Sequence, residues 1–347
     1  MASRSRIAVF GAAAGLLLGL GGCATTLPAP LAAELRLPEA ELATGPFRLR
    51  EPLPDTAAPP SSGTPGRAPP ASQLVSGLVL VWSNPGATGL FVGLFSEPFL
   101  PWTHIGIVSV EPDGVFVYDT NAGLSLTEEG PATGHEGRGV QRIPYTRYVE
   151  SDHIFGLYAL PPEVEVGRLL DHVRGQYARR TPFDARFDSV DPSALYCTEL
   201  TARAWAAAGA PPLSPVPARR HRSYDLVRRL LRIPDAGFFM PDQFVEPRRE
   251  LALWSRRLSP AQIHALFEAR RELALRLSPE TPLGHLIGWR DAALSLPEAL
   301  TLREPVQRFI DLAQAQARED DLPPQIRARV AALALRLFGP VLKVGAH

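Results

Sequence analysis

The sequence is poor in cysteine and has no excess of either charge. Only two cysteines, Cys23 and Cys197, occur among the 347 residues, which excludes a disulfide scaffold and a multi-cysteine metal site. The 36 basic and 36 acidic side chains give a formal net charge of zero, so a broad basic surface for nucleic acid is not expected. The chain also lacks phosphate-binding glycine loops, His-Glu-x-x-His pairs and Gly-x-Ser-x-Gly elbows. We therefore expect no metal, no other cofactor and no nucleic-acid partner.

The N-terminus has the pattern of a secretory signal. Two arginines precede an uncharged apolar run, Ile7–Leu20, which is shorter than the roughly 20 residues of a membrane-spanning helix. The run ends in Leu-Gly-Gly-Cys at residues 20–23, which resembles the bacterial lipoprotein box. The resemblance implies a signal peptide over residues 1–22, lipid attachment at Cys23 and, because Ala24 rather than aspartate follows, an anchor in the outer membrane facing the periplasm. The membrane would then be a partner through the acyl chains; the alternative is an ordinary cleaved signal with an incidental cysteine.

Composition divides the rest of the chain into three parts. Residues 23–72 are rich in proline, alanine, glycine and serine. Because proline fixes φ and removes a backbone donor, we expect an extended, semi-rigid tether there, within which Leu31–Leu37 could dock or form a helical turn. Residues 73–245 alternate apolar runs with turn signals, and residues 246–347 carry Leu, Ala, Arg and Glu at helical spacing. The last part is expected to be a helical region that caps or docks on the rest.

Local patterns predict the strands and helices. Short β-branched or apolar runs bounded by turn residues predict strands at Leu74–Trp82, Thr103–Val110, Val115–Thr120 and His153–Leu160. Helical spacing predicts helices at Pro162–Arg179, Thr198–Ala208, Arg248–Arg257, Pro260–Leu277, Pro305–Arg318 and Pro324–Phe338. The sequence Arg-Glu-Leu-Ala-Leu occurs at 249–253 and again at 271–275, and both copies fall within predicted helices.

Cys197 is a candidate nucleophile because of its place in the chain. It stands where an irregular Asp/Pro/Ser segment gives way to the helix predicted from Thr198. Unpaired backbone N–H groups and the positive end of the helix dipole favour the thiolate over the thiol at such a position. The alternative is a buried, inert cysteine, and position alone does not separate the two.

A candidate base and its partner lie in the hairpin around the turn Glu111–Gly114. If Val110 pairs with Val115 across this turn, the side chain of His104 falls on the same face as that of Asp119, as its diagonal neighbour. The carboxylate would then accept the imidazole N–H and orient the ring. A bulge at the turn would shift the register by one residue and separate the two side chains. A histidine satisfied within the core is the alternative.

Together these residues resemble the YiiX/YebB-like branch of the NlpC/P60 cysteine hydrolases, which are circularly permuted papain-like proteins. The resemblance rests on His-Ile-Gly-Ile-Val at 104–108, the acid Asp119, and Tyr-Cys-Thr-Glu-Leu at 196–200. A closing Pro-Asp segment lies within residues 239–244, so the resemblance spans about residues 73–245. Two positions depart from the branch, in which the third residue is commonly Glu and the opening strand commonly carries Gly-Asp, here Gly77-Leu78.

The resemblance implies an α+β fold, in which an antiparallel sheet packs against helices, followed by the α-helical C-terminal extension. It also implies a mechanism in which Cys197 attacks a carbonyl carbon, His104 transfers the proton and Asp119 holds the imidazole. The backbone N–H of Cys197 would be one oxyanion donor. Tyr196 and Glu199 are possible accessory residues, of which we expect one to pack or cap the helix rather than react.

These inferences predict a lipid-anchored cysteine hydrolase of the amidase or peptidase class that works through an acyl-enzyme. Its substrate would be a peptide, a cell-wall fragment or a lipid-linked acyl group. One alternative is an acyltransferase or thioesterase acting on lipid-linked acyl groups. The others are a non-catalytic binding lipoprotein that retains the fold and a structural envelope tether whose helical region binds a partner.

Overall fold

The structure is a computed structural model that describes residues 29–51, 64–121, 139–184, 186–231, 237–290 and 299–341. The predicted signal peptide and the lipid attachment at Cys23 lie outside these residues. Within the described ranges, no helix combines the length and the apolar character that crossing a bilayer requires.

Antiparallel strands form the centre of the molecule. The strands of the central sheet are β1 (Val79–Ser83), β2 (His104–Glu111), β3 (Gly114–Asn121), β4 (Gly139–Pro144), β5 (Ile154–Tyr158) and β6 (Glu250–Ser255). Their order across the sheet is β4-β3-β2-β1-β5-β6, and every neighbouring pair is antiparallel. A separate pair consists of β7 (Ile287–Trp289) and β8 (Leu300–Leu302). The predicted strands correspond to β1, β2, β3 and β5, whereas β4 has no predicted counterpart.

Helices surround the sheet. They are α1 (Ala29–Leu35), α2 (Glu39–Leu42), α3 (Ala87–Gly93), α4 (Tyr145–Tyr148), α5 (Val166–Ala178), α6 (Cys197–Ala207), α7 (Arg222–Leu231), α8 (Pro260–Arg276), α9 (Glu304–Ala315) and α10 (Pro323–Phe338). Short 3₁₀ turns lie at Ala71–Gln73, Pro241–Phe244, Pro247–Arg249 and Leu283–His285. The predicted helices that correspond to α5, α6, α8, α9 and α10 are confirmed within a few residues at their ends.

Both faces of the sheet are buried. Val81 of β1 and Ile107 of β2 belong to the main core, which they share with the helices. Their strand neighbours Leu80 and Val108 point the other way, into a smaller apolar cluster that also contains Trp254. This alternation is what side chains of period two produce on a sheet covered on both sides. The α+β class, with an antiparallel sheet packed against helices, is confirmed.

The helix predicted at Arg248–Arg257 is wrong, because residues Glu250–Ser255 form the strand β6. β6 pairs with β5, where Phe155 lies opposite Trp254 and their rings stack with centroids 5.4 Å apart. Leu and Ala favour a helix only weakly, and a partner strand outweighs such a preference. The region after residue 245 therefore contributes a strand to the central sheet as well as helices.

The helices that follow β6 are joined to the sheet by a buried arginine. α8 packs against α9, α10 and β6, and its Arg270 is fully buried. The guanidinium donates to the main-chain carbonyls of Asn84 at 3.1 Å and Gly86 at 2.7 Å, in the turn that follows β1. Burial lowers the pKa of Arg270 to about 9. This contact fastens the C-terminal helices to the end of the strand β1.

Part of the predicted tether packs on the body of the protein. In α1, Leu31 and Leu35 are each only 1% exposed, so the expected docking of this short piece is confirmed. The Glu34 carboxylate accepts hydrogen bonds from the Arg222 guanidinium and the Ser223 hydroxyl at the start of α7. Further along, the ring of Phe47 lies edge-on to that of Phe338. Residues 29–51 are thus part of the folded unit.

Candidate active site

His104 and Asp119 are brought together by the register of the β2–β3 hairpin. Val110 pairs with Val115 and Ile107 with Tyr118, so the predicted register is confirmed and the turn introduces no shift. Nε2 of His104 lies 2.9 Å from Oδ2 of Asp119. The His104 side chain is almost fully buried and that of Asp119 completely so. The diagonal contact inferred from strand alternation is therefore present.

Gly106 makes this close approach possible. It lies between His104 and Val108 on β2, on the face that carries the histidine. A Cβ atom at this position would stand 2.5 Å from Cγ1 of Val117 and 3.3 Å from Cβ of Asp119. A side chain at residue 106 would therefore push β3 and its carboxylate away from the imidazole.

Trp82 packs against the ring of His104. It pairs with His104 across β1 and β2, and its indole stacks on the imidazole with ring centroids 4.8 Å apart. Its other side contacts His153, with centroids 4.2 Å apart. Burial, together with the charge of His104, lowers the pKa of His153 to about 4. His153 is thus a neutral packing partner at neutral pH, in line with its having no assigned role in the sequence.

The nucleophile candidate stands at the first residue of α6, as its sequence context predicts. Tyr196 is the N-cap, and Cys197 is a half-buried free cysteine. Leu195 anchors the approach to the helix, because its carbonyl accepts a hydrogen bond of 2.9 Å from the hydroxyl of Thr120. Thr120 directly follows Asp119 on β3. The helix N-terminus is thereby tied to the strand that carries the carboxylate.

Helix α6, which begins at Cys197, packs against β2, the strand that begins at His104. Burial by itself lowers the pKa of His104, but the negative charge of Cys197, hydrogen bonds with Asp119 and Cys197, and the charge of Asp119 outweigh it and raise that pKa to about 10. Because Nε2 faces Asp119, Nδ1 is the ring nitrogen left for the sulfur. The site can therefore hold an imidazolium beside the Asp119 carboxylate.

The flanking residues Tyr196 and Glu199 support the helix start. The Tyr196 hydroxyl accepts the backbone N–H of Phe239 at 3.0 Å and shares a hydrogen bond of 2.6 Å with Ser189. The Glu199 carboxylate, buried in the first turn of α6, pairs with the Arg203 guanidinium at 2.7 Å. Burial raises the pKa of Glu199 to about 7. Both side chains are buried, and Tyr196 packs in the main core; that one of the two does not react stays a prediction.

The segment Phe239–Asp242 connects the two sides of the site. The carbonyl of Phe239 accepts a hydrogen bond of 2.7 Å from the Thr198 hydroxyl in the first turn of α6. Three residues later, Oδ2 of Asp242 accepts the backbone N–H of Trp102 at 3.3 Å, two residues before His104. Burial raises the pKa of Asp242 to about 8. One short segment thus holds both the helix of the nucleophile and the strand of the histidine.

Sequence reasoning missed two residues of the site. The sequence assigns no role to Trp82, within a predicted strand, or to Tyr148, which is fully buried on the short helix that packs against β3. Neither has a local pattern that could reveal it, because each reaches the site through strand pairing or packing between elements distant in sequence. Among the described residues, no group of three or more His, Cys, Asp or Glu side chains is arranged to hold a metal ion.

Comparison with known proteins gives no match: no family model, no curated protein and no solved structure is similar to this chain. The arrangement of Cys197, His104 and Asp119 is therefore interpreted from its geometry and from the sequence motifs alone.

Proposed function

We propose that the protein is a cysteine hydrolase of the amidase or peptidase class with a permuted papain-like fold, anchored to the bacterial cell envelope through an acylated Cys23. The observation that supports it best is the 2.9 Å contact between the His104 imidazole and the Asp119 carboxylate, on a strand against which the helix that begins at Cys197 packs. A base held between an orienting carboxylate and a nucleophile at a helix N-terminus is the arrangement that activates a thiol.

In the proposed reaction, the sulfur of Cys197 attacks the carbonyl carbon of the substrate while His104 carries the thiol proton. The electron pair of the carbonyl moves onto its oxygen, where the backbone N–H groups of the first turn of α6 stabilise the negative charge. When the carbonyl re-forms, the bond to the leaving group breaks and His104 donates its proton to that group. The product is a thioester on Cys197.

Release of the acyl group follows the same path with water as the nucleophile. His104 removes a proton from water, the oxygen attacks the thioester carbon, and the carbon–sulfur bond breaks to regenerate Cys197. A second acceptor in place of water would give acyl transfer. The half-buried state of Cys197 supports access by an acyl group to its sulfur.

Site-resolved alkylation tests the first step. Iodoacetamide labelling of the peptide that contains Cys197, followed by mass spectrometry at pH 7, should be roughly 10-fold slower or more in His104→Ala, because the thiolate loses its partner. His264→Ala, which removes a half-buried histidine of α8, is the matched control and should label at the wild-type rate. Equal labelling rates for wild type and His104→Ala would refute the proposed activation.

Product analysis separates the classes of function. Incubation with cell-wall peptide fragments and, separately, with acyl-lipids should give new amine and carboxylate ends from one of them, and Cys197→Ser should abolish the reaction. Transfer of the acyl group to an added amine would identify an acyltransferase. Binding of either material with no product at any enzyme concentration would favour the non-catalytic binding lipoprotein. Mass spectrometry of the N-terminal peptide tests the anchor, since acylation should be absent in Cys23→Ser.

A further inference from the structure

Three buried polar atoms lie on the face of the sheet that carries the Asp119 side chain, where Trp82 and Tyr148 pack with Val117 in the smaller apolar cluster. They are Nε1 of Trp82, the hydroxyl of Tyr148 and Oδ1 of Asp119, and each is without a hydrogen-bond partner among the described residues at standard distances and angles. Buried polar groups are normally paired, because an unpaired one destabilises the folded state. Their presence in one cluster points to a short polar chain that links the three groups.

The hydrogen-bonding chemistry of the three groups permits one order. An indole nitrogen only donates and an ionised carboxylate only accepts, whereas a phenol hydroxyl does both. Tyr148 must therefore stand in the middle, accepting from Trp82 and donating to Asp119. Oδ2 of Asp119 is already engaged with His104, so Oδ1 is the oxygen that Tyr148 can bind.

The surroundings of Tyr148 agree with this order. It closes the short helix α4, which packs against β3, and its side chain is fully buried. Burial raises the pKa of Tyr148 well above its ordinary value, and the charge of Asp119 acts in the same direction, while the Trp82 indole acts in the opposite one. The phenol is therefore neutral at any pH at which the protein works, and it keeps the proton that it donates.

We propose that Tyr148 is a positioning residue of the candidate site: its hydroxyl, held by the Trp82 indole N–H, donates to Oδ1 of Asp119 and fixes the carboxylate that orients His104. This inference rests on the proposed function, because positioning has a consequence for rate only if His104 activates Cys197. Trp82 makes two contacts in this arrangement. The N–H at the edge of its indole holds the Tyr148 hydroxyl, and the face of the same indole stacks on the His104 imidazole.

Tyr148→Phe tests the proposal, with Tyr145→Phe as the matched control. Tyr145 lies on the same short helix, but its hydroxyl donates to the carbonyl of Pro69 at 2.9 Å. In Tyr148→Phe we expect the alkylation rate of Cys197 at pH 7 to fall about 3- to 10-fold, which is the size of one net hydrogen bond. The pKa of His104, followed by NMR of the labelled ring, should move down as Asp119 becomes less well oriented. Tyr145→Phe should change neither quantity.

The two readouts separate failure of this inference from failure of the proposed function. If His104→Ala labels as fast as wild type while Tyr148→Phe still shifts the His104 titration, the hydrolase proposal fails and the positioning contact stands. If Tyr148→Phe and Tyr145→Phe give the same His104 titration and the same labelling rate, Tyr148 has no positioning role.

A measurement that leaves Tyr148 in place covers the case in which Tyr148→Phe does not fold. In protein labelled at the tyrosine ring carbons, the Tyr148 resonance should remain that of a neutral phenol above pH 10, the ordinary pKa of tyrosine, and should shift in the isosteric variant Asp119→Asn. The Trp82 indole N–H resonance should shift with it, because the two are joined through Tyr148. Unchanged Tyr148 and Trp82 resonances in Asp119→Asn would overturn the proposal.

Discussion

The imidazole of His104 and the carboxylate of Asp119 are diagonal neighbours on adjacent antiparallel strands, with Nε2 and Oδ2 2.9 Å apart. The contact is buried, so water does not screen the interaction between the two groups as it would at the surface. Asp119 can therefore both hold the ring orientation and stabilise its protonated form.

Removal of this charge should weaken the candidate site without disturbing the sheet. We expect Asp119→Asn to lower the rate at which Cys197 is acylated by p-nitrophenyl acetate by roughly 10-fold or more, because orientation is part of the 10²- to 10⁴-fold that general acid–base groups contribute. Asp113→Asn is the control, since Asp113 lies in the turn of the same hairpin and pairs with Arg142 on the surface. Equal burst rates in the two variants would show that Asp119 is only structural.

Ionisation of Glu199 should make stability depend on pH. Its pKa is about 7 in the folded protein, against an ordinary value of 4.5, so folding favours its protonated form. The associated stabilisation is complete below about pH 4.5 and is lost as the pH rises to about 7, and it amounts to about 2–3 kcal/mol. Relative to Glu199→Gln, the unfolding free energy of the wild type should fall by this amount across that range and then remain level.

Urea denaturation at several pH values measures this difference. Glu165→Gln, which removes a carboxylate of an exposed ion pair with Arg168, should give a difference from wild type that is nearly independent of pH. A Glu199→Gln difference that is equally flat would mean that the buried carboxylate is not protonated on folding.

Arg270 should be a main contributor to stability among the charged residues. We expect Arg270→Lys to lower the free energy of unfolding by about 2–4 kcal/mol. The lysine ammonium cannot donate hydrogen bonds to all the buried main-chain carbonyls that the guanidinium binds. Its neighbour Arg271, which is half-buried and pairs with Glu268, offers the control Arg271→Lys, with a change within about 0.5 kcal/mol. Similar urea midpoints for both variants would argue against this role.

The packing of α1 predicts that a residue of the supposed tether stabilises the protein. Leu31 is 1% exposed in the main core, and Leu31→Ala should cost about 2–5 kcal/mol of unfolding free energy. Leu322→Ala, at a leucine that is 64% exposed, should cost less than about 0.5 kcal/mol. If α1 were a detachable spacer, the two substitutions would have the same small effect.

Part of the site follows from local rules. The turn Glu111–Gly114 sets the hairpin register, and the register sets which side chains share a face, so the meeting of His104 and Asp119 is predictable. The start of α6 near Cys197 is likewise predictable, because an irregular Asp/Pro/Ser segment gives way there to helical spacing. Trp82 and Tyr148 are not, because they come from β1 and α4, and only the packing of the whole sheet brings them to the carboxylate.

The repeated sequence Arg-Glu-Leu-Ala-Leu shows that local sequence alone does not determine secondary structure. At 271–275 it lies within α8, whereas at 249–253 its last four residues begin the strand β6. The five residues are the same, so their intrinsic preference cannot decide between the two structures. The first copy forms a strand because it pairs with the open edge of β5, and the second forms a helix because it packs against α9 and α10. Neither partner can be recognised from a short window of sequence.

The position of β6 at the edge of the sheet has a consequence for how the protein is made. The segments that carry His104, Asp119 and Cys197 all leave the ribosome before residues 250–255. The edge of β5 therefore stays unpaired until the later strand β6 has been synthesised. A product of premature termination or of proteolysis before residue 250 would contain every residue of the candidate site and yet present an unpaired strand to other chains. Such fragments are expected to aggregate, so that only chains translated past Arg270 yield a folded protein.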